Sequence, residues 1–210
     1  MNFNPPKIYA ITDAHISGIS HLEQVERLIA GGIRLVQLRE KHASPRDFFE
    51  SAKPVVDLAR RHNVTVIIND RVDIAMALNA HGVHLGQEDL SPADARRILG
   101  PDAIIGFSAH SADQAHAAMS FPVDYIAIGP IFITSSKENP DAVVGIETLN
   151  AAKSEMLGEM PLVAIGGINS SNLRDVLRSG ADSVALIAGL VSDPSAITAT
   201  AEMLISLTDG

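Results

Sequence analysis

Gln37, Arg39 and Lys41, in the stretch VQLREK, alternate at the end of an apolar run that reads as a β-strand. A strand turns alternate residues to one face, so these three share a side. If that side is the interior, two cations point inward, and a charge buried without a partner is very costly. The pattern calls for an anionic ligand.

Carboxylates and glycines elsewhere suit the same ligand. Asp70 ends one apolar run and Asp89 follows another, in HLGQED. Two carboxylates on neighbouring strand ends can share a hard cation with substrate oxygens, the usual arrangement for Mg2+ held by few protein ligands. The same two residues could instead cap helices beginning near Arg71 and Ser91. The glycine-bearing turns AIGGIN and LIAGL have the composition of phosphate-binding loops, although tight turns alone also use glycine. Lys137, in TSSK, adds a cation from a further loop. Three side-chain cations and a divalent ion against two aspartates leave roughly +3, which a bound pyrophosphate ester of about −3 would nearly neutralise.

Other chemistries lack their signatures. The chain has no P-loop, no G-x-S-x-G elbow, no paired-glutamate signature and no HExxH among its eight histidines. Ser108-Ala109-His110 brings a hydroxyl and an imidazole close in sequence, but that spacing does not make a catalytic triad. His84 reads as a packed, hydrogen-bonded residue rather than a metal ligand.

Eight short apolar runs are available to position these residues. They span 7–12, 33–38, 64–69, 82–86, 103–108, 124–129, 161–167 and 183–188, and read as parallel strands covered on both faces. Helical patterns lie between them. Ser20 and Glu23 form a capping box ahead of Leu22, Val25, Leu28 and Ile29, and SPRDFFESAK and SPADARRILG each set serine at the N-cap and proline at the first helical position. Pro54 is where the second of these helices is expected to kink or end early. Eight alternating units in one chain predict a single (β/α)8 barrel domain over 1–210, with the active site at the C-terminal ends of the strands. A doubly wound open sheet is the competitor. Eight regular units in a chain of 210 residues favour closure, and the polar residues crowd where an active site is expected: Thr12 and Asp13, Arg39 and Lys41, Asn69 and Asp70, GQED, Ser108 and His110, TSSK and GGINS all follow strands.

Bulk properties narrow the partners. Sixteen basic and twenty-five acidic residues give a net charge of −9 with no Lys/Arg run, which argues against nucleic acid or an anionic membrane. The absence of cysteine excludes disulfides and thiolate metal sites and fits a reducing cytoplasm. MNFNPPKIYA lacks the pattern of a signal peptide, and no apolar run approaches a membrane span. The expectation is a cytoplasmic enzyme with small-molecule substrates.

The segments QLREK, IINDRVDIAMALNAHGVHLGQED, GFSAH, YIAIGPIFITSSK and VAIGGIN occur in this order, and together they resemble the thiamine phosphate synthase family. The resemblance runs from YAITD to VALIAGL. It implies a Mg2+-dependent transferase that joins 4-amino-5-hydroxymethyl-2-methylpyrimidine pyrophosphate to thiazole phosphate, giving thiamine phosphate and pyrophosphate. On this chain it implies that Gln37 contacts the pyrimidine, with Tyr9 a weaker candidate. Arg39, Lys41, Asn69 and Lys137 would hold the pyrophosphate, Asp70 and Asp89 the Mg2+, and Ser108 the leaving group. Thr134, Ser136, Gly167, Ile187 and Ala188 would receive the thiazole phosphate.

Two positions depart from the family pattern. Ser136 stands where a threonine is frequent, which keeps the hydroxyl. Ala188 stands where a serine is frequent, which removes one hydrogen bond to the phosphate. Three rivals are weighed. A thiazole tautomerase paralogue would use His110 for proton transfer. A non-catalytic barrel could bind thiamine intermediates, and a phosphosugar isomerase could share the fold. The cations and aspartates kept together favour the synthase. Family analogy allows a homodimer, and TSSKENPDAVVG has the length and polarity of a lid.

Overall fold

Runs such as Thr65-Val66-Ile67-Ile68 are rich in β-branched side chains, which are restricted in a helix and pack well on a pleated strand. In the computed structural model, which describes residues 3–134 and 141–208, each of the eight apolar runs forms a strand. They are β1 (Ile8–Asp13), β2 (Leu35–Arg39), β3 (Thr65–Asn69), β4 (Gly82–Leu85), β5 (Ile104–Ala109), β6 (Tyr125–Ile128), β7 (Leu162–Ile165) and β8 (Ser183–Leu186). All pair in parallel in chain order, and β8 pairs with β1 to close the barrel. The expected (β/α)8 fold is the one observed, and the open sheet is excluded.

Closure gives each strand two buried faces, so the strands read as unbroken apolar runs. Ile8, Ala10, Val36, Leu38, Val66 and Ile68 pack outward with the helices, while Tyr9, Ile11, Leu35, Ile67, Tyr125 and Val163 fill the interior. Phe3 closes the lower end against Tyr125, with ring centroids 5.5 Å apart. By the same alternation Gln37, Asn69 and His84, all buried, share the inward face.

Ten α-helices and one 3-10 turn (Pro194–Ala196) surround the strands among the described residues, the α-helices being α1 (Ala14–Ser17), α2 (His21–Ala30), α3 (Pro45–Arg61), α4 (Val72–Ala77), α5 (Pro92–Leu99), α6 (Ala112–Ala118), α7 (Gly145–Glu155), α8 (Leu173–Arg178), α9 (Ala188–Val191) and α10 (Ile197–Ser206). The Ser20–Glu23 capping box forms in both directions, and Ser44 and Ser91 cap α3 and α5 as expected. Two features differ from expectation. Helices α1 and α9 are extra turns, each four residues long and too short to show a hydrophobic period. Helix α3 neither ends nor is interrupted at Pro54. Pro54 and Glu50 are both exposed, so the carbonyl that loses its N–H partner can turn to water. No helix among the described residues is long and apolar enough to cross a membrane.

Candidate active site

The C-terminal ends of the strands enclose a cavity of about 550 Å³. Tyr9, Gln37, Arg39, Lys41, Asn69, Asp70, Asp89, Ser108, Thr134, Gly167, Ile187 and Ala188 all line it. Every site residue inferred from the sequence that falls among the described residues therefore meets in one place. Ser136 and Lys137 lie outside the described residues, as does half of the segment read as a lid.

The rim carries the charges. Strand β2 ends at Arg39, whose Nη1 donates to Asp13 Oδ2, and Lys41, just beyond, donates to Asp70 Oδ2. Asp13 is 4% exposed, and its other oxygen accepts from Ile16 N at 3.0 Å, capping α1. Asp70 adopts φ +62°, in the left-handed region that side chains seldom occupy, and its N–H donates to His84 O at 2.8 Å. Asp89 Oδ2 accepts from Gly86 N at 2.7 Å. Burial, aided by the adjacent Asp70 carboxylate, pushes Asp89 above the usual carboxylate range, against the pull of the Gly86 N–H and Lys41.

Neither aspartate caps a helix. Arg71 precedes α4 and makes no side-chain cap, while Ser91 Oγ caps α5 by accepting from Asp94 N at 3.1 Å. Asp70 and Asp89 are left as two close carboxylates on neighbouring loops, a donor set of the kind a hard dication takes. No cluster of three or more potential metal ligands occurs among the described residues.

The floor is a hydrogen-bonded chain that crosses the barrel. Gln37 Nε2 donates to Tyr9 Oη at 2.8 Å, and the Tyr9 and Tyr125 hydroxyls are 2.9 Å apart. Tyr125 Oη is 2.9 Å from His84 Nδ1, and His84 Nε2 is 2.9 Å from Ser108 Oγ. His84 is thus packed and hydrogen-bonded, as its strand position suggested. Burial lowers its pKa to about 4 and raises both tyrosines above the ordinary phenol range. Ser108 bonds His84 rather than His110, whose Nδ1 faces Gly129 O at 2.8 Å. Because the second nitrogen of His84 meets a phenol and not a carboxylate, this is not a nucleophile–base triad.

The remaining wall comes from the turns after β7 and β8. Gly167 has φ +66°, and a Cβ there would lie 2.6 Å from Ile133 O and 2.7 Å from Phe132 Cβ. The turn can hold this shape against the β6–α7 loop only with glycine. Three contributors had been missed: Asp13 as the partner of Arg39, Tyr125 in the floor, and Gly106, whose bare Cα leaves room for that floor. For Tyr125 a signal existed, since it stands at an inward position of DYIAIG.

A closed (β/α)8 barrel with a polar, charge-lined cavity at the C-terminal ends of its strands is the architecture of a barrel enzyme. The profile of the family described as thiamine monophosphate synthase matches residues 8–190. A thiamine-phosphate synthase of Chloroflexus aurantiacus is 44% identical over 202 residues, covering 96% of this chain and 92% of its own. One from Koribacter versatilis is 46% identical over 196 residues, covering 90% of each chain. The structure of a thiamine phosphate pyrophosphorylase from Pyrococcus furiosus superimposes with a TM-score of 0.87 at 33% identity, covering 98% of this chain and 96% of that one. The chain belongs to the thiamine monophosphate synthase family. It is a transferase whose product is thiamine phosphate.

Proposed function

We propose that the cavity binds 4-amino-5-hydroxymethyl-2-methylpyrimidine pyrophosphate on the β1–β5 side and thiazole phosphate against the turns after β7 and β8. The observation that carries this reading is Asn69. Its Nδ2 is buried without a hydrogen-bond partner among the described residues, although the residue lines the cavity beside Lys41 and Asp70. An unsatisfied buried donor costs about 1–3 kcal/mol, so its presence makes sense if a ligand oxygen completes it.

Arg39, Lys41, Asn69 and Lys137 hold the pyrophosphate in this reading, and Ser108 donates to the leaving group. Gln37 and Tyr9 contact the pyrimidine. Thr134, Ser136, Gly167, Ile187 and Ala188 take the thiazole phosphate, with Ala188 offering only its backbone. Asp70 and Asp89 would hold Mg2+, two carboxylates being few enough to leave the remaining positions to phosphate oxygens and water. Bound there, the ion would neutralise charge on the pyrophosphate.

The reaction needs no protein nucleophile. The pyrimidine amino group pushes electrons toward the breaking C–O bond, and the thiazole nitrogen captures the resulting cation. The residues bind and orient both partners, exclude water and donate hydrogen bonds to the departing pyrophosphate. The test is a thiochrome fluorescence assay with both substrates and Mg2+, run beside Asp89→Ala. Product from the native chain that is largely lost in the variant supports the reading. No product from folded native protein overturns it.

A further inference from the structure

We propose that His84 and Tyr125 are positioning residues, which fix the Ser108 hydroxyl as a hydrogen-bond donor facing the cavity. The inference deepens the proposed function, since it rests on Ser108 meeting the leaving group.

The argument is a count of protons. Gln37 Nε2 can only donate, and it lies 2.8 Å from Tyr9 Oη. Tyr9 keeps its single proton, because burial disfavours the phenolate; with one lone pair taken by Gln37, we assign that proton to Tyr125 Oη, 2.9 Å away. Tyr125, protonated for the same reason and accepting from Tyr9 in this order, is then the donor to His84 Nδ1, 2.9 Å away. A neutral imidazole whose Nδ1 accepts must carry its hydrogen on Nε2, and that hydrogen faces Ser108 Oγ at 2.9 Å. Ser108 Oγ therefore accepts from within the chain. Its own proton is left for the cavity that Ser108 lines. Every link sends its hydrogen the same way, from β2 through β1, β6 and β4 to β5.

Gly106 makes the arrangement possible. A Cβ at this position would lie 2.3 Å from Tyr125 Oη and 2.5 Å from His84 Nδ1, on top of the bond that sets the tautomer. Gly106 and Ser108 are two apart on β5 and so share its inward face. A barrel interior that served stability alone would be filled with branched apolar side chains. A serine without this chain would be free to turn its hydrogen toward an acceptor in the wall. The locked hydroxyl instead meets a developing anion already oriented, with no reorganisation during the reaction.

The first measurement needs no substrate. In protein labelled with 15N-histidine, the His84 signal, assigned by its loss in His84→Gln, is expected to show hydrogen on Nε2 and a bare Nδ1. Tyr125→Phe is expected to shift it toward mixed tautomers. Hydrogen on Nδ1 in the native protein overturns the proposal. The second measurement is a double-mutant cycle in the coupling reaction. Tyr125→Phe is expected to lower kcat about tenfold, the size of one misdirected hydrogen bond, with KM for thiazole phosphate little changed. Added to Ser108→Ala it should cost nothing further, because Tyr125 acts through Ser108. Losses that multiply in the double variant overturn the proposal. A native protein that makes no thiamine phosphate defeats the synthase reading, while the tautomer and its response to Tyr125→Phe still decide the order of the chain.

Discussion

Asp13 and Arg39 are register partners across the β1–β2 ladder, and the guanidinium donates to the carboxylate on that shared face. Parallel pairing sets both residues at the ends of their strands, so the inward arginine has an internal counter-ion before any ligand arrives. The positive charge that the sequence count assigned to Arg39, Lys41 and Lys137 against Asp70 and Asp89 is accordingly lower by one. Asp13→Asn keeps the oxygen that caps α1 and removes only the charge. It should cost about 2 kcal/mol of stability, short of a fully stranded buried charge because the guanidinium keeps some contact with water. Inorganic pyrophosphate should then raise the Tm of the variant more than that of the native protein. Equal shifts in the two proteins would show that Arg39 does not meet the anion.

The lone Nδ2 of Asn69 makes a different kind of prediction. A donor left unsatisfied in the free protein gives no net stabilisation there, so removing it should cost little. Asn69→Ala is expected to unfold within about 1 kcal/mol of the native protein, while kcat/KM for the pyrimidine pyrophosphate falls by roughly 10- to 100-fold. Denaturant unfolding and steady-state kinetics on one preparation check both halves. A large loss of stability with unchanged kinetics would make Asn69 a structural residue.

The barrel was legible because strands buried on both faces and helices begun by Ser20, Ser44 and Ser91 announce themselves by residue type alone. The inward set of Gln37 and Arg39 was legible for a related reason, since alternation along a strand needs no knowledge of its neighbours. What stayed hidden depends on pairs of elements. The meeting of Asp13 with Arg39 is a consequence of the β1–β2 register. The bond between Tyr125 and His84 depends on what β5 leaves out at Gly106. Helix α3 passes Pro54 because that residue faces water, and tertiary placement of this sort cannot be read from local pattern.

Asp70 and Asp89 predict a linked response to metal and anion. Two adjacent carboxylates repel, burial of Asp89 adds to that pressure, and the single Lys41 ammonium on Asp70 offsets it only in part. Mg2+ with inorganic pyrophosphate is expected to raise the Tm more than the sum of the two added separately. Asp89→Ala should abolish that excess and lower turnover by about 10²- to 10³-fold. A full excess retained by the variant would move the ion elsewhere.

Lys137 is the cation that the segment after β6 brings to the pyrophosphate in the proposed function. Lys137→Ala should lower turnover by roughly 10²-fold or more, by analogy with the loss of one preorganised donor to a developing anion. A near-normal rate would remove Lys137 from the mechanism.

His84 should leave its mark on acid stability. Burial lowers its folded pKa from 6.5 to about 4, outweighing the opposite pull of the Asp89 carboxylate, while Tyr125 and Ser108 face its two nitrogens. Unfolded chains take up the proton below 6.5 and the folded protein does not. The stability tied to this group is therefore complete above pH 6.5 and is lost as the pH falls toward 4. A shift of this size corresponds to about 3 to 4 kcal/mol in full, of which roughly 2 to 3 kcal/mol is lost between pH 7.5 and 4.5. Unfolding free energies from urea titrations with a chelator present, taken between pH 7.5 and 4.5, should fall more steeply for the native protein than for His84→Gln. The two slopes should differ by about that amount over the range. Parallel slopes would mean that His84 takes up its proton in the folded protein, and its Nδ1 could then no longer accept from Tyr125.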